Sequence, residues 1–136
     1  MTNNKIDFVN KRILIYGLGK SGISSFYFLK KNNIVSVYDD NNNQYKNLKL
    51  LKKKIESKDI PKKKFDFIVI SPGIDIFKSK HRNFFIKNKK KIITDLDIFN
   101  SYYFNNKNIT ITGTNGKSTT ATILFNILKD QKKDVR

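Results

Sequence analysis

Apolar positions come in short runs divided by polar, glycine-bearing or asparagine-bearing stretches, and strand-like runs alternate with helix-like spacing. Arg12 to Tyr16 holds Ile13-Leu14-Ile15-Tyr16, a run of strand formers that predicts a buried parallel strand. Gly17-Leu18-Gly19-Lys20-Ser21-Gly22 follows at once, then a helix to about Lys31 with Ile23, Phe26 and Tyr27 on one face, ended by Asn32-Asn33. Ile34 to Tyr38 reads as a second strand closing on Asp39-Asp40. Asn41 to Lys46 is a polar loop. Leu48, Leu51 and Ile55 suggest a short helix, and Pro61 with the lysines after it breaks the pattern.

Phe65 to Ser71 is a third buried strand, followed by Pro72-Gly73. Phe77, Phe84 and Phe85 recur at i, i+7 and i+8, which predicts a helix over Lys78 to Asn88. Lys91 to Thr94 reads as a short strand. Asp95 to Phe104 reads as a helix with Thr94 as N-cap and Asp97 near the capping-box position. After the polar linker Asn105 to Asn108, Ile109 to Thr112 predicts a strand. Then come Gly113-Thr114-Asn115-Gly116-Lys117 and a helix from about Ser118 to Lys129, with Leu124, Ile127 and Leu128 on one face.

This order predicts an α/β fold: a Rossmann-like parallel sheet flanked by helices, then the first β-loop-α unit of a P-loop ATPase-type domain. The expected division is 1–105 and 106–136. A single strand and helix cannot bury a core of their own, so the sequence reads as an N-terminal fragment of a longer protein.

Composition adds a net charge of +17, which at first suggests nucleic acid. Only three of the 28 basic residues are arginine, however: Arg12, Arg82 and Arg136. Lysine is interleaved with asparagine and isoleucine, and Ala121 is the only alanine, the usage an AT-rich genome produces. The runs Lys52–Lys54, Lys62–Lys64 and Lys89–Lys91 fall at predicted element ends and loops and read as solvated faces. No nucleic-acid partner is expected. The absence of cysteine removes disulfides and thiolate metal sites. The N-terminus is not a signal peptide, and no apolar run approaches the roughly 18 residues of a membrane span. A soluble cytoplasmic protein without a membrane partner is expected.

Two stretches carry chemistry. Gly17, Gly19 and Gly22 have dinucleotide-fingerprint spacing: Gly17 for a tight turn, Gly19 for approach of a pyrophosphate, Gly22 for close helix–strand packing. Asp39 closes the second strand, where an acid can accept hydrogen bonds from a ribose or a base. The plain alternative is a glycine-rich turn without a ligand. Gly73 ends the third strand at the carboxyl edge, where ligands of open α/β sheets bind; its plain alternative is a turn in which Pro72 fixes φ and Gly73 supplies a positive φ. In the second stretch, Gly113 to Gly116 can turn backbone N–H groups inward, Lys117 can reach the outer phosphates of a nucleotide, and the Ser118 hydroxyl can ligate Mg²⁺. The general spacing wants glycine at position 111, where this chain has Ile111. Asp95 and Asp97 read as capping residues and His81 as a surface residue. One loop suits a nucleotide diphosphate and the other ATP, so ATP would drive chemistry on a substrate that itself carries a nucleotide diphosphate.

Gly17-Leu18-Gly19-Lys20-Ser21-Gly22, Ser71-Pro72-Gly73-Ile74, Thr94-Asp95-Leu96-Asp97-Ile98-Phe99 and Thr112-Gly113-Thr114-Asn115-Gly116-Lys117-Ser118-Thr119 together resemble the Mur ligases of bacterial cell-wall synthesis, nearest to their D-glutamate-adding branch. That superfamily shares the shortened phosphate loop, which accounts for Ile111. Asn115 and the glycine loop of the first domain separate the chain from sister branches. Departures are Asp97, usually glutamate, and Asp40-Asn41, usually threonine and arginine. The resemblance implies UDP-N-acetylmuramoyl-L-alanine and D-glutamate as small-molecule substrates, ATP and Mg²⁺ as cofactors, and a monomer. It implies that Gly17, Gly19, Lys20, Ser21 and Gly22 face the diphosphate, and that Asp39 and Gly73 contact the uridine portion. Gly113, Thr114, Asn115, Gly116, Lys117, Ser118 and Thr119 would hold ATP, with Lys117 catalytic and Ser118 on the metal. The rest of the active site would lie beyond Arg136, so these residues alone are expected to be inactive. Another Mur branch and an NAD-dependent oxidoreductase are the alternatives.

Overall fold

The computed structural model describes residues 6–45 and 48–135, which fall into two compact units, Met1–Phe104 and Asn105–Arg136. The first unit is built on four strands: β1 (Arg12–Tyr16), β2 (Ile34–Tyr38), β3 (Phe67–Ile70) and β4 (Ile92–Ile93). All pairings are parallel, in the order β2-β1-β3-β4. Ile15 lies opposite Val37 on one side and Val69 on the other. Helices α1 (Lys20–Leu29), α2 (Leu48–Leu51), α3 (Arg82–Lys87) and α4 (Asp95–Tyr102) complete the unit.

The twofold alternation of a strand sorts β1 between two cores. Ile13 and Ile15 pack with Phe26 and Leu29 of α1 and Ile98 of α4. Leu14 and Tyr16 pack with Phe85 of α3 and with Ile60. The sheet is therefore apolar on both faces, as an all-parallel sheet requires. Each of these aliphatic side chains contributes about 1.5–3 kcal/mol by leaving water. β1 continues through α1 to β2 on one side, and the chain then returns to β3 on the other, so the switch point lies between β1 and β3.

Several boundaries differ from the sequence reading for local reasons. α1 stops at Leu29 because the Asn33 amide donates to the Leu29 carbonyl at 2.8 Å. Pro61 sits inside a 3-10 turn, Ser57–Lys62, that carries fully buried Ile60. α3 begins only at Arg82, since residues 78–81 are held in turns by Asp75 and Ser79. The loop expected over residues 41–46 is a 3-10 turn at Asn42–Tyr45, and Lys46 lies outside the described residues. Part of the N-terminal stretch joins the core. Phe8 is buried against Phe67 and Tyr102, and Ser101 exchanges hydrogen bonds with the Ile6 backbone, both at 2.8 Å.

The second unit contains α5 (Lys117–Asp130). The strand expected over residues 109–112 is not formed. A parallel strand exists through hydrogen bonds to a neighbour, and among the described residues of this unit there is no strand to supply them. None of its described residues is buried; Leu124 and Leu128 are half-buried and Ile127 is exposed.

Candidate functional site

The carboxyl edge of the sheet at the switch point is shaped by three strand ends. Gly17 leaves β1 with φ +95°, a left-handed value that favours glycine. Its N–H donates to the Tyr38 carbonyl at 2.8 Å, and its carbonyl accepts from the buried Ser71 hydroxyl at 2.8 Å. A Cβ on Gly17 would lie 2.8 Å from the Ser71 Cβ, and one on Gly22 would lie 1.9 Å from the Gly17 carbonyl oxygen. The turn and the close helix packing thus explain Gly17 and Gly22. Gly19 differs: its backbone is extended, and a Cβ there would meet nothing within 4 Å. Nor does the fold demand glycine at exposed Gly73, which lacks the positive φ expected of a turn glycine and also faces open space.

Gly19 is the N-cap of α1, no side chain caps that end, and the first turn carries no acid. Lys20 is exposed and Ser21 half-buried in that turn. The N-terminus of α1 is therefore exposed beside the glycine loop with neither a capping side chain nor an acid of its own first turn, an arrangement suited to an anion. Asp39 reaches the loop from β2: it accepts from the Leu18 N–H at 2.5 Å and from the Asn41 N–H at 2.7 Å. A carboxylate offers about four lone-pair positions, so a ligand hydroxyl can still be accepted. The Asp39 N–H donates to the Tyr45 hydroxyl at 2.6 Å, and burial pushes that phenol up to about 12.

On the opposite face of the sheet the same edge carries a polar network absent from the sequence reading. Asp40 accepts from Tyr38 at 3.1 Å and from Tyr16 at 3.1 Å, and pairs with Lys80 at 2.9 Å. Burial alone would raise the Asp40 carboxyl, but hydrogen bonds from Lys80, Tyr38 and Tyr16 hold it below its ordinary value. Contact with the Tyr38 phenol and with Asp40 raises the Lys80 ammonium. His81, expected on the surface, is instead buried, with its ring edge-on to Tyr16 and Tyr38 and its Nε2 3.1 Å from the Ser57 hydroxyl. Burial and nearby Lys80 lower its pKa. The available signal was weak: two tyrosines ending adjacent strands need partners for their hydroxyls.

The second loop presents a comparable helix end. Gly113 (φ +151°) and Gly116 (φ +76°) turn the chain, and Gly116 is the N-cap of α5 without a side-chain cap or a first-turn acid. The Lys117 ammonium bridges the carbonyls of Gly113 and Thr114 across the loop. Thr114, Asn115, Ser118 and Thr119 are all exposed. Among the described residues no group of three or more His, Cys, Asp or Glu could hold a metal ion. The Ser118 hydroxyl is a hard oxygen donor that suits Mg²⁺ shared with phosphate oxygens. Asp97 completes a capping box with Thr94 (Thr94 N–H to Asp97 2.7 Å, Asp97 N–H to Thr94 3.3 Å), and Asp95 accepts from the Leu96 N–H. These acids serve α4. Among the described residues no helix is long and apolar enough to cross a membrane.

A hollow of about 520 Å³ lined by Arg12, Lys62, Lys63 and Lys64 opens where β1 and β2 begin. That is the amino edge, opposite the one at which open parallel sheets hold ligands.

A family profile described as Mur ligase MurD-like, N-terminal domain, matches residues 11–93. That span takes in the glycine loop, Asp39 and Gly73. The chain is 36% identical over 141 aligned positions to the UDP-N-acetylmuramoylalanine–D-glutamate ligase of Caldicellulosiruptor bescii, covering 96% of the chain and 30% of that protein. It is 32% identical to the enzyme of the same name from Wolbachia pipientis wMel, covering 94% and 26%, and 37% identical to that of Rickettsia prowazekii, covering 93% and 29%. The chain thus spans less than a third of the length of these relatives.

Proposed function

The chain belongs to the Mur ligases, through their MurD-like N-terminal domain, and from that premise we propose that it is the N-terminal part of an ATP-dependent ligase that joins D-glutamate to UDP-N-acetylmuramoyl-L-alanine in peptidoglycan biosynthesis. The observation that carries this reading is the glycine loop at the switch point, where α1 offers an uncapped N-terminus and neither Gly19 nor Gly73 is demanded by the fold. In this reading the diphosphate lies over Gly19, Lys20 and Ser21, with Gly17 and Gly22 building the turn beneath it. Asp39 and Gly73 take the uridine portion. The relatives do not favour an oxidoreductase or another Mur branch.

Residues 113–119 then open the ATP site. Lys117 exchanges its loop carbonyls for phosphate oxygens and stabilises charge on the transferring phosphoryl group. Backbone N–H groups of Thr114, Asn115 and Gly116 cradle the phosphates, and Thr119 assists. Ser118 would hold Mg²⁺, which would supply neutralisation of phosphate charge during the transfer. The substrate carboxylate attacks the γ-phosphorus and ADP leaves, giving an acyl phosphate. The amine of D-glutamate attacks the acyl carbon, the amide bond forms, phosphate departs and the ammonium proton is released. The protein acts in this scheme as a cytoplasmic monomer on small molecules, without nucleic acid or membrane.

The test is Lys117→Ala in a ligase that contains this chain. Loss of the charged donor is expected to lower kcat by at least about 10²–10³-fold, with the Kd for the UDP substrate unchanged. Joint loss of ligation and UDP-substrate binding would argue against two separate sites.

A further inference from the structure

The loop between β3 and α3 is anchored at both ends, and between them Ile74 and Ile76 pack half-buried against the Tyr16 side of the core while the other side chains face solvent. At its start the Ser71 hydroxyl holds the Gly17 carbonyl, and the Ile74 N–H closes a turn onto the Ser71 carbonyl at 3.0 Å. At its end Ser79 lies 3.0 Å from the Tyr16 hydroxyl and accepts the His81 N–H at 3.1 Å, while Lys80 reaches Asp40. Between these anchors Pro72, Gly73, Asp75, Phe77 and Lys78 are exposed, and Ile74 packs over Gly17.

The Lys80–Asp40 pair stands out by its reach. The pairs Asp7–Lys11, Asp59–Lys62 and Asp75–Lys78 join residues three or four apart, whereas Lys80 and Asp40 are 40 apart (80 − 40) and tie the loop after β3 to the exit of β2. Its side chains are 53% and 50% exposed, and an exposed pair adds little to global stability. Its effect is local. Asp40 is the residue after Asp39, which holds the glycine loop, so one short segment fastens the glycine loop through Asp39 and the Gly73 loop through Asp40. The ammonium also lies 5.3 Å from the centre of the Tyr38 ring, whose hydroxyl shares the same carboxylate oxygen. The raised Lys80 and lowered Asp40 keep both partners charged near neutral pH.

We infer that Lys80 is a positioning residue of the nucleotide site: by gripping Asp40 it holds the Gly73-bearing loop against the glycine loop, and so sets the affinity for the uridine end of the substrate. This inference rests on the nucleotide-diphosphate reading above.

The experiment compares the chain with its Lys80→Met and Lys80→Arg variants by amide hydrogen exchange and by calorimetry with UDP. A loop that spends a tenth of its time in the competent pose weakens apparent affinity about tenfold. Lys80→Met is therefore expected to speed exchange at the Ile74 and Lys78 amides and raise the Kd for UDP about tenfold, with the melting temperature unchanged. Lys80→Arg should restore both. An unchanged Kd in Lys80→Met overturns the inference. A weaker Kd with unchanged exchange also overturns it, since Lys80 would then contact the ligand directly. NADH or ADP binding the unaltered chain as tightly as UDP overturns the nucleotide reading instead, and the exchange readout still decides whether the clamp exists.

Discussion

Placing the same methyl group on two glycines three residues apart should separate the fold from its ligand. In Gly22→Ala the new Cβ would sit 1.9 Å from the Gly17 carbonyl oxygen and 2.9 Å from the Ser71 hydroxyl. Reaching even 3.0 Å from the carbonyl needs about 1.1 Å of movement (3.0 − 1.9). That carbonyl cannot swing aside, because it accepts the Ser71 hydroxyl and belongs to a residue whose N–H is tied to β2. Overpacking of this kind costs about 1–3 kcal/mol, and the rigid backbone places it at the upper end. Alanine in a helix returns at most about 1 kcal/mol, leaving a net loss of about 2 kcal/mol. At about 4–8 °C per kcal/mol for a unit of this size, melting should fall by roughly 8–16 °C. In Gly19→Ala the Cβ meets open space, and the cost is limited to replacing a permissive N-cap, under about 1 kcal/mol. UDP affinity should nevertheless fall in Gly19→Ala, because the methyl group occupies the line of approach to α1. Urea denaturation followed by circular dichroism, with UDP calorimetry on both variants, reads the contrast. A Gly22→Ala protein as stable as its parent, or a Gly19→Ala variant that loses more stability than Gly22→Ala, would refute the reasoning.

Other consequences can be checked by standard means. Ser71→Ala leaves the Gly17 carbonyl without its buried donor and should cost about 1–2 kcal/mol in denaturant unfolding. Thr94→Ala removes one half of the α4 capping box and should cost about 1 kcal/mol, with Asp97→Ala adding less in the double variant than alone. Because His81 has a depressed pKa in the fold, the unfolded chain binds more protons once pH drops below the ordinary 6.5. Stability is therefore full above that value and declines as pH falls from it toward the folded value. Asp40, also depressed, extends the loss below 3.8. His81→Gln should flatten the melting temperature between pH 7 and 5, and a parent profile already flat there would contradict the burial argument.

The strands and their two glycine turns were legible because their signals are local. Ile13 to Tyr16 is apolar without interruption, and Gly17 and Gly22 occupy their places for steric reasons that act within a few residues. Asp97 was legible in the same way, since a capping box spans four positions. What could not be read was what the tertiary fold alone brings together. Nothing near His81 in the chain announces that Tyr16 and Tyr38 will cover it, and its basic neighbours Lys80 and Arg82 suggest a solvated face. Lys80 looks like any other lysine until β2 and the loop after β3 meet at Asp40. Phe8 sits in a polar stretch and enters the core because Phe67 of β3 and Tyr102 of α4 are brought to it by the fold. The strand expected over residues 109–112 failed for a related reason. Its apolar pattern is real, but strand formation needs a hydrogen-bonding neighbour, and the described part of its unit holds none.

The central claim, that the glycine loop at the switch point is the seat of a uridine diphosphate group and the second loop a separate phosphate site, is tested most directly by amide NMR spectra of the chain titrated with UDP. Perturbed resonances are expected over residues 17–22 and at Asp39 and Gly73, with those of residues 113–119 unmoved. Shifts confined to residues 113–119, or to the basic hollow around Arg12 and Lys62–Lys64, would contradict it.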